Sequence, residues 1–310
     1  MARYWKRKVL AVKIETTYGV DSVPTALLNA IQAIDVKLSP MEGQDLDRAL
    51  ERPQLGAEPT IPVDLHAKLA FKVELAGSGT AGTAPAWGPI LRACAMAQTI
   101  VAVTSVTYNP ISTAMESVSI YFFLDGQRYV LLGARGNAKL TIGASAIPYL
   151  EFELTGLFSQ PTDVAIPAYD VSAFKTPLAG TKANTPTFTL NAVALPMRSL
   201  SLDLGNTVEG RYLIGLEEIQ ITDKAEKLEV TIEQPALATF NAFSLAAAQT
   251  AIALVLLHGT VAGNKVQLNI PSMQLMRPGA PENRQGVIEQ TLQAIPLPVS
   301  GNDQFTLVLT

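Results

Sequence analysis

A glycine-rich run, Gly77-Ser-Gly-Thr-Ala-Gly82, is the part of this 310-residue sequence that comes nearest to a known site for chemistry. Its spacing is that of the G-x-G-x-x-G loop, which binds a dinucleotide between a strand and a helix and also needs an acidic residue about twenty positions later. No Asp or Glu occurs between Glu74 and Glu116, and no Gly-Lys-Ser/Thr follows to complete a P-loop. We therefore interpret the run as a flexible connection between a strand and a helix.

The other reactive side chains lack the partners that catalysis or metal binding requires. His66 and His258 stand apart from any His, Cys or carboxylate at metal-ligand spacing, so we interpret them as surface or interface residues. No Gly-x-Ser-x-Gly elbow supplies a nucleophile. The single cysteine, Cys94, lies in an apolar, Ala-rich stretch and is predicted to be a buried structural thiol.

Paired acids, Glu217-Glu218 and Asp45 with Asp47, leave a glycoside hydrolase to be considered, because such enzymes use two carboxylates. A sugar-binding cleft is usually rich in aromatic residues, and this chain is only 6% aromatic. A β-sandwich carbohydrate hydrolase or lectin stays open as an alternative, with Glu151 and Glu153 as the residues to test. The main prediction is a protein that is not an enzyme and uses no cofactor and no metal.

The composition favours a protein whose surface is covered by other chains. Charged residues make up 16% of the sequence, whereas about a quarter is usual in soluble domains. The uncharged stretch from Leu237 to Leu257 has the length of a membrane helix, but it contains polar residues, lacks a basic flank and becomes strand-like midway. We predict a helix followed by a buried strand there, and no membrane span. The net charge of −4 also argues against a basic nucleic-acid-binding protein.

Alternation of apolar and polar residues with period two predicts a mainly β protein. The alternating segments are Leu69–Leu75, Ser117–Phe122, Ala138–Ile142, Tyr149–Leu154, Arg198–Leu204, Lys227–Glu233 and Lys265–Ile270. Two helices are predicted, Pro85–Ala97 and Leu237–Thr250. Two helices among so many strands do not give the alternation that builds a parallel α/β sheet.

The order of these elements occurs twice. A strand, a polar segment, a second strand, a helix and further strands run from residue 34 to 158, and the same order runs from residue 200 to 309. We expect two tandem β-sandwich or partial-barrel domains, each with one flanking helix. The first covers residues 1–160 with an N-terminal arm (Met1 to Val23), a Pro- and Ala-rich linker covers 161–186, and the second domain covers 187–310.

The segment from Ser39 to Pro62 is long, polar and interrupted by prolines, and it is predicted to be a loop. It mixes acids, arginines and apolar residues, a composition that suits a loop ordering against a neighbouring subunit. A mobile surface loop is the alternative interpretation. The candidate contact residues are Glu42, Asp45, Asp47, Arg48, Glu51, Arg52 and Leu55.

Four stretches of the chain resemble the tail tube proteins of bacteriophages with long, non-contractile tails. They are Lys13-Ile-Glu-Thr-Thr-Tyr-Gly19, Glu51-Arg-Pro-Gln-Leu-Gly56, the run Val73-Glu-Leu-Ala-Gly-Ser-Gly-Thr-Ala-Gly-Thr-Ala-Pro-Ala-Trp-Gly88, and Ser201-Leu-Asp-Leu-Gly-Asn206. The likeness covers most of the chain at the level of the family, and none of these motifs is a catalytic signature.

The resemblance implies a structural virion protein that forms stacked rings around a lumen, a conduit for DNA ejection. Inner sheets would join across subunits, and loops and terminal arms would connect the rings. Two tube domains in one chain would give a homotrimer with pseudo-sixfold symmetry, with a hexamer as the alternative. The implied partners are further copies of the chain, a tape-measure protein and transiting DNA in the lumen, and tail terminator and distal tail proteins at the ends. The implied location is the phage tail, after assembly in the host cytoplasm.

Passage of DNA requires a wall that does not hold phosphate, because basic walls bind DNA through counterion release. Alternation assigns Ser201, Asp203, Glu229, Thr231 and Glu233 to the wall in the second domain. The matching face of the first domain carries Lys68, Lys72 and Glu74, with Lys37 on the neighbouring strand. These lysines make that face more basic than passage favours, so either they pair with nearby acids or the opposite face lines the lumen. A baseplate hub or capsid decoration protein remains the alternative structural function.

Overall fold

The computed structural model describes residues 2–310, and it is mainly β, as predicted. The strands of the first half are β1 (Lys8–Ile14), β2 (Ala30–Ile31), β3 (Ile34–Asp47), β4 (Thr60–Glu74), β5 (Met96–Val101), β6 (Ser105–Pro110), β7 (Val118–Leu124), β8 (Gln127–Gly143), β9 (Tyr149–Phe158) and β10 (Thr162–Asp163). Those of the second half are β11 (Thr187–Leu190), β12 (Val193–Ala194), β13 (Met197–Asp203), β14 (Asn206–Leu213), β15 (Leu216–Lys224), β16 (Lys227–Glu233), β17 (Ala251–His258), β18 (Val266–Leu275), β19 (Pro281–Arg284), β20 (Val287–Pro296) and β21 (Thr306–Leu309). The helices are α1 (Ala26–Asn29), α2 (Gly88–Ala93) and α3 (Ala242–Ala247).

Both predicted helices exist, but each is shorter than predicted. Helix α2 is followed by Ala95, whose positive φ of 58° breaks the helical path, and β5 begins at the next residue. Helix α3 begins after Asn241, whose side chain accepts a hydrogen bond from the Ser244 amide. The predicted change from helix to strand between Leu237 and Leu257 is confirmed by α3 and β17. None of the helices formed by residues 2–310 has the length and apolar character needed to cross a membrane.

Eight strands form one antiparallel, hydrogen-bonded central sheet in the order β3–β4–β9–β8–β13–β16–β20–β19. The first four strands come from the first half of the chain and the last four from the second half. The junction between the halves is the pairing of β8 with β13, in which Leu140 faces Leu202. A single sheet therefore crosses the boundary between the two predicted domains.

The central sheet is buried on one face only, because its strands alternate with period two. The apolar side chains of that face enter one hydrophobic core to which both halves contribute. They are Leu69, Phe71, Val73, Ala138, Leu140, Ile142, Leu150, Phe152, Leu154, Leu200, Leu202, Leu228, Val230, Ile232, Leu292 and Ala294. The core is closed by α2 and by the outer strands, among them β7, β17 and β18. The opposite face is polar.

The segment from Ser39 to Pro62, predicted to be a loop, is mostly paired strand. Strands β3 and β4 extend far beyond the core as a two-stranded arm, in which Asp47 faces Thr60. Only residues 48–59 lie outside the strands. The prediction was wrong for the ends of the segment, because each strand of the arm is stabilised by its partner and not by burial.

Two further segments are more ordered than predicted. Residues 8–14 of the predicted N-terminal arm form β1, which pairs with β7 along its whole length, so only residues 2–7 precede the first strand; Met1 lies outside the described residues. The predicted linker 161–186 is packed on both halves. Its β10 pairs with β8, Gly180 forms a β-bridge with Ala144, and the Asn184 carbonyl accepts a hydrogen bond of 2.7 Å from the Gly259 amide.

The hairpin of β14 and β15 is an insertion between β13 and β16, and partly buried polar contacts hold it to the rest of the chain. Lys224 Nζ donates to the carbonyl oxygens of Ala95 at 2.9 Å and Ile111 at 2.7 Å. Arg135 forms an ion pair of 2.8 Å with Glu218. Burial lowers the pKa of Lys224 to about 8.

The position of Lys224 predicts that stability rises with pH between about 8 and 10.5. In that interval the folded chain has lost a proton that the unfolded chain, with an ordinary lysine pKa, still binds, so raising the pH favours the folded state. Urea unfolding at about pH 7.5 and pH 9.5 should show a gain for the wild type that Lys224→Met lacks. An equal change in both proteins would contradict this role of Lys224.

Candidate functional site

The polar face of the central sheet gathers all the residues predicted to line a lumen. Cross-strand register places Ser201 opposite Thr141 and Glu229, and Thr141 opposite Tyr149, which faces Glu74. Residues that face each other across a sheet lie on the same side of it. The remaining predicted residues occupy alternate positions of the same strands and share this face: Lys68, Lys72, Asp203, Thr231 and Glu233. The predicted residues of both halves therefore form one continuous surface.

One row of this face alternates in charge across five strands and both halves of the chain. Its members face each other in register in the order Lys72, Glu151, Lys139, Asp203 and Lys227. Lys72 Nζ lies 3.1 Å from Glu151 Oε1, and this hydrogen bond raises the pKa of Lys72. Asp203 also accepts a hydrogen bond of 2.7 Å from Asn137. We refer to these five residues as the charge row.

Two of the three lysines that made this face look basic, Lys68 and Lys72, are paired with acids, whereas Lys37 forms no ion pair within residues 2–310. Lys68 Nζ lies 2.8 Å from Glu42, and this contact lowers the pKa of the Glu42 carboxyl. Nine carboxylates on the face are nearly balanced by five lysines and two arginines. The acids are Glu42, Glu74, Glu151, Glu153, Asp203, Glu229, Glu233, Glu282 and Glu289, and the bases are Lys37, Lys68, Lys72, Lys139, Lys227, Arg198 and Arg284. The face is close to neutral. The charges alternate along the charge row, whereas Glu233, Glu289 and Glu282 face one another in register and are balanced by Arg198 and Arg284 beside them.

The candidate inter-ring residues lie together on the arm of β3 and β4. Glu42 is near its base, where it contacts Lys68 and lies 3.6 Å from His66. The remaining candidates are exposed and follow the outer part of the arm and its tip: Asp45, Asp47, Arg48, Glu51, Arg52 and Leu55. Leu55 is a fully exposed apolar side chain at the tip. The arm thus presents mixed charges and an apolar residue to solvent at one end of the sheet.

The glycine run Gly77 to Gly82 connects β4 to α2, as predicted, but it is packed against the second half of the chain and not free. The Gly79 amide donates to the Gly263 carbonyl at 3.0 Å, and the Gly77 amide donates to the Asn264 side chain at 3.1 Å. A Cβ added at Gly77 would lie 2.1 Å from the Gly263 oxygen. The glycines allow two backbones to approach each other, which is a structural function.

The histidines and the cysteine occupy structural positions. His258 is buried, contrary to the predicted surface or interface position, and its ring nitrogens contact Thr185 Oγ1 and the Leu178 carbonyl, both at 3.0 Å. Burial lowers the pKa of His258. Cys94 is buried as predicted, and burial raises the pKa of its thiol. Within residues 2–310 no cluster of His, Cys, Asp and Glu has the composition of a metal site.

A buried carboxylate, Glu15, was missed by the sequence analysis. Its Oε1 accepts hydrogen bonds of 2.8 Å from Ser119 Oγ and the Gly133 amide, and its Oε2 accepts from Ser117 Oγ at 2.7 Å and the Gly19 amide at 2.9 Å. It joins the end of β1 to β7 and β8. The signal in the sequence is an acid inside the motif Lys13 to Gly19.

Comparison with known families agrees with these observations. The family described as phage tail tube protein matches residues 5–299, nearly the whole chain. Comparison with the curated proteins found no match.

Proposed function

The chain belongs to the phage tail tube protein family, a family of structural virion proteins that assemble into a tube, and we propose that three copies of it close into each ring. The tail is then of the long, non-contractile type, and the rings stack to form a conduit for DNA ejection. The tape-measure protein and then DNA occupy the lumen, and terminator and distal tail proteins bind the two ends. Assembly takes place in the host cytoplasm.

The ring of three is supported by the duplicated central sheet. The first half contributes β3–β4–β9–β8 and the second half contributes β13–β16–β20–β19, with the same order and the same directions. Phe71 faces Phe152 in one half as Val230 faces Leu292 in the other, and all four side chains are buried. Each half is a candidate tube domain, so three chains supply six equivalent units. The mass of an isolated ring and its symmetry in end-on electron micrographs test this number; a ring of six chains would contradict it.

The polar face of the central sheet is proposed to line the lumen. Each carboxylate of the charge row lies between lysines, so a passing phosphate backbone meets no continuous basic strip that would release counterions and hold it. The apolar face cannot serve, because it forms the core that both halves share. The near neutrality of the face is the observation that supports a passage through which DNA slides.

Reversing acidic charges on this face should make the tube retain DNA. Glu229 and Glu233 are exposed, and changing both to Lys in every chain should convert a near-neutral wall into a basic one. We expect short linear duplex DNA to co-sediment with the variant tubes at about 50 mM salt and to be released at about 0.5 M salt. A control variant, Glu209→Lys with Glu217→Lys, changes the charge equally on the exposed hairpin of β14 and β15. Equal retention of DNA by both variants would argue against the lumen assignment.

A further inference from the structure

The two outer strands of the central sheet each have one side free of hydrogen bonds. Among residues 2–310, β3 pairs only with β4, and β19 pairs only with β20. Strand β3 is 14 residues long, and an exposed edge of that length invites pairing with another chain. The half-buried Val36 and Leu38 on this edge pack against the core only in part. A partner strand would complete their burial.

We propose that β19 of one copy pairs with β3 of the next, in the register that β8 and β13 already have within the chain. This inference rests on the proposed function, because it specifies how the ring closes. In the duplicated sheet β13 of the second half corresponds to β3 of the first half, and β19 corresponds to the C-terminal end of β8. The junction inside the chain is therefore a template for the junction between chains.

The register follows from matching the two halves strand by strand. The Leu75 amide, directly after β4, donates a hydrogen bond to the Pro148 carbonyl, and the Gln234 amide, directly after β16, donates one to the Ile288 carbonyl. These two bonds mark the same end of the equivalent strand pairs β4–β9 and β16–β20. Leu69 and Leu228 are equivalent, because each lies six residues before the donor at that end. Their partners on the neighbouring strands, Leu38 and Leu202, are therefore equivalent as well.

The same count identifies the opposite edge. Leu140 faces Leu150, and Pro281 faces Gln290 at the equivalent position, so Pro281 takes the place of Leu140. Within the chain Leu202 faces Leu140 and Ser201 faces Thr141. Between chains Leu38 would therefore face Pro281, and Lys37 would face Glu282.

The charges of the two edges agree with this register. Lys37 and Glu282 are exposed, and they carry opposite charges at positions that the register places face to face. In the same proposed register Asp35 on β3 would lie near Arg284 on β19, because β3 has a one-residue bulge between Ile34 and Lys37. Opposite charges directly across a strand pair are favourable and like charges are unfavourable. Because the register was derived from backbone pairing alone, the match of charges supports it independently. The partner of this edge is a second copy of the chain.

Cysteine cross-linking tests the pairing directly, because the native chain has one cysteine and it is buried. Facing residues in an antiparallel pair have Cα atoms about 4.5–5.5 Å apart, within the range of about 4.4–6.8 Å that a disulfide spans. Tubes of Lys37→Cys with Glu282→Cys should, after mild oxidation, give covalent dimers and closed oligomers on a non-reducing gel. The control is Lys37→Cys with Thr291→Cys, since Thr291 lies on β20 inside the sheet; it should stay monomeric.

A charge exchange gives a second readout on the same pair. Lys37→Glu alone places like charges face to face and should raise the protein concentration needed for tubes by about threefold or more, since each ring repeats the contact. Lys37→Glu with Glu282→Lys restores opposite charges and should restore assembly. Tubes that neither cross-link nor respond to either exchange would overturn this pairing and leave the tube function intact. A wild-type chain that forms no tubes would overturn the proposed function itself.

Discussion

Replacing residues 45–62 by an Asn-Gly turn should give a folded chain that no longer stacks into tubes. Gln44 and Val63 face each other in the arm of β3 and β4, so a two-residue turn can join them without a change of register. Every residue removed is exposed except Glu58, which is half-buried. We expect the free energy of unfolding to change by about 1 kcal/mol or less, because exposed residues away from special features contribute little.

Assembly, in contrast, should be lost nearly completely, because the variant lacks all but one of the candidate inter-ring residues. Sedimentation and electron microscopy of the variant should show monomers or single rings where the wild type gives tubes. A matched control replaces residues 48–59 by a Gly-Ser segment of equal length, which keeps the paired arm and removes only the side chains of its tip. If the tip carries the contact, this control also fails to stack. Normal tubes from the Asn-Gly variant would exclude the arm from stacking.

Glu15→Ala should cost the chain about 3–5 kcal/mol of stability, since four donors lose their acceptor at once inside the protein. A buried donor without a partner costs about 1–3 kcal/mol, and relaxation of the site recovers part of the sum. The two amides, of Gly19 and Gly133, have no flexible side chain with which to find another acceptor. Urea unfolding followed by circular dichroism should show a lower midpoint with an unchanged slope.

Two control variants separate the carboxylate from general effects of substitution. Glu15→Gln keeps one acceptor oxygen and should lose less stability than Glu15→Ala. Glu209→Ala changes an exposed acid of β14 and should have little effect. A loss below about 0.5 kcal/mol for Glu15→Ala would show that the hydrogen bonds of this carboxylate do not hold β1, β7 and β8 together.

The sequence alone was sufficient for the class of fold and for the polar face of the central sheet. Side chains alternate across a strand whatever the strand pairs with, so the face that carries Ser201, Asp203 and Glu229 could be predicted from local pattern. The change from α3 to β17 could be predicted from local pattern in the same way. The glycine run could likewise be distinguished from a nucleotide-binding loop, because it lacks the acid and the lysine that such loops need.

Only the tertiary structure decided which residues meet. The charge row depends on the register of five strands, and Glu15 reaches Gly133 across 118 positions of the chain. The arm of β3 and β4 was predicted to be a loop because its strands are stabilised by each other and not by a core, so they lack the apolar alternation of a buried strand. Register and pairing come from contacts between distant residues, whereas alternation is a property of each strand by itself. For this reason the polar face was visible in the sequence, and the two edges proposed to join one chain to the next were not.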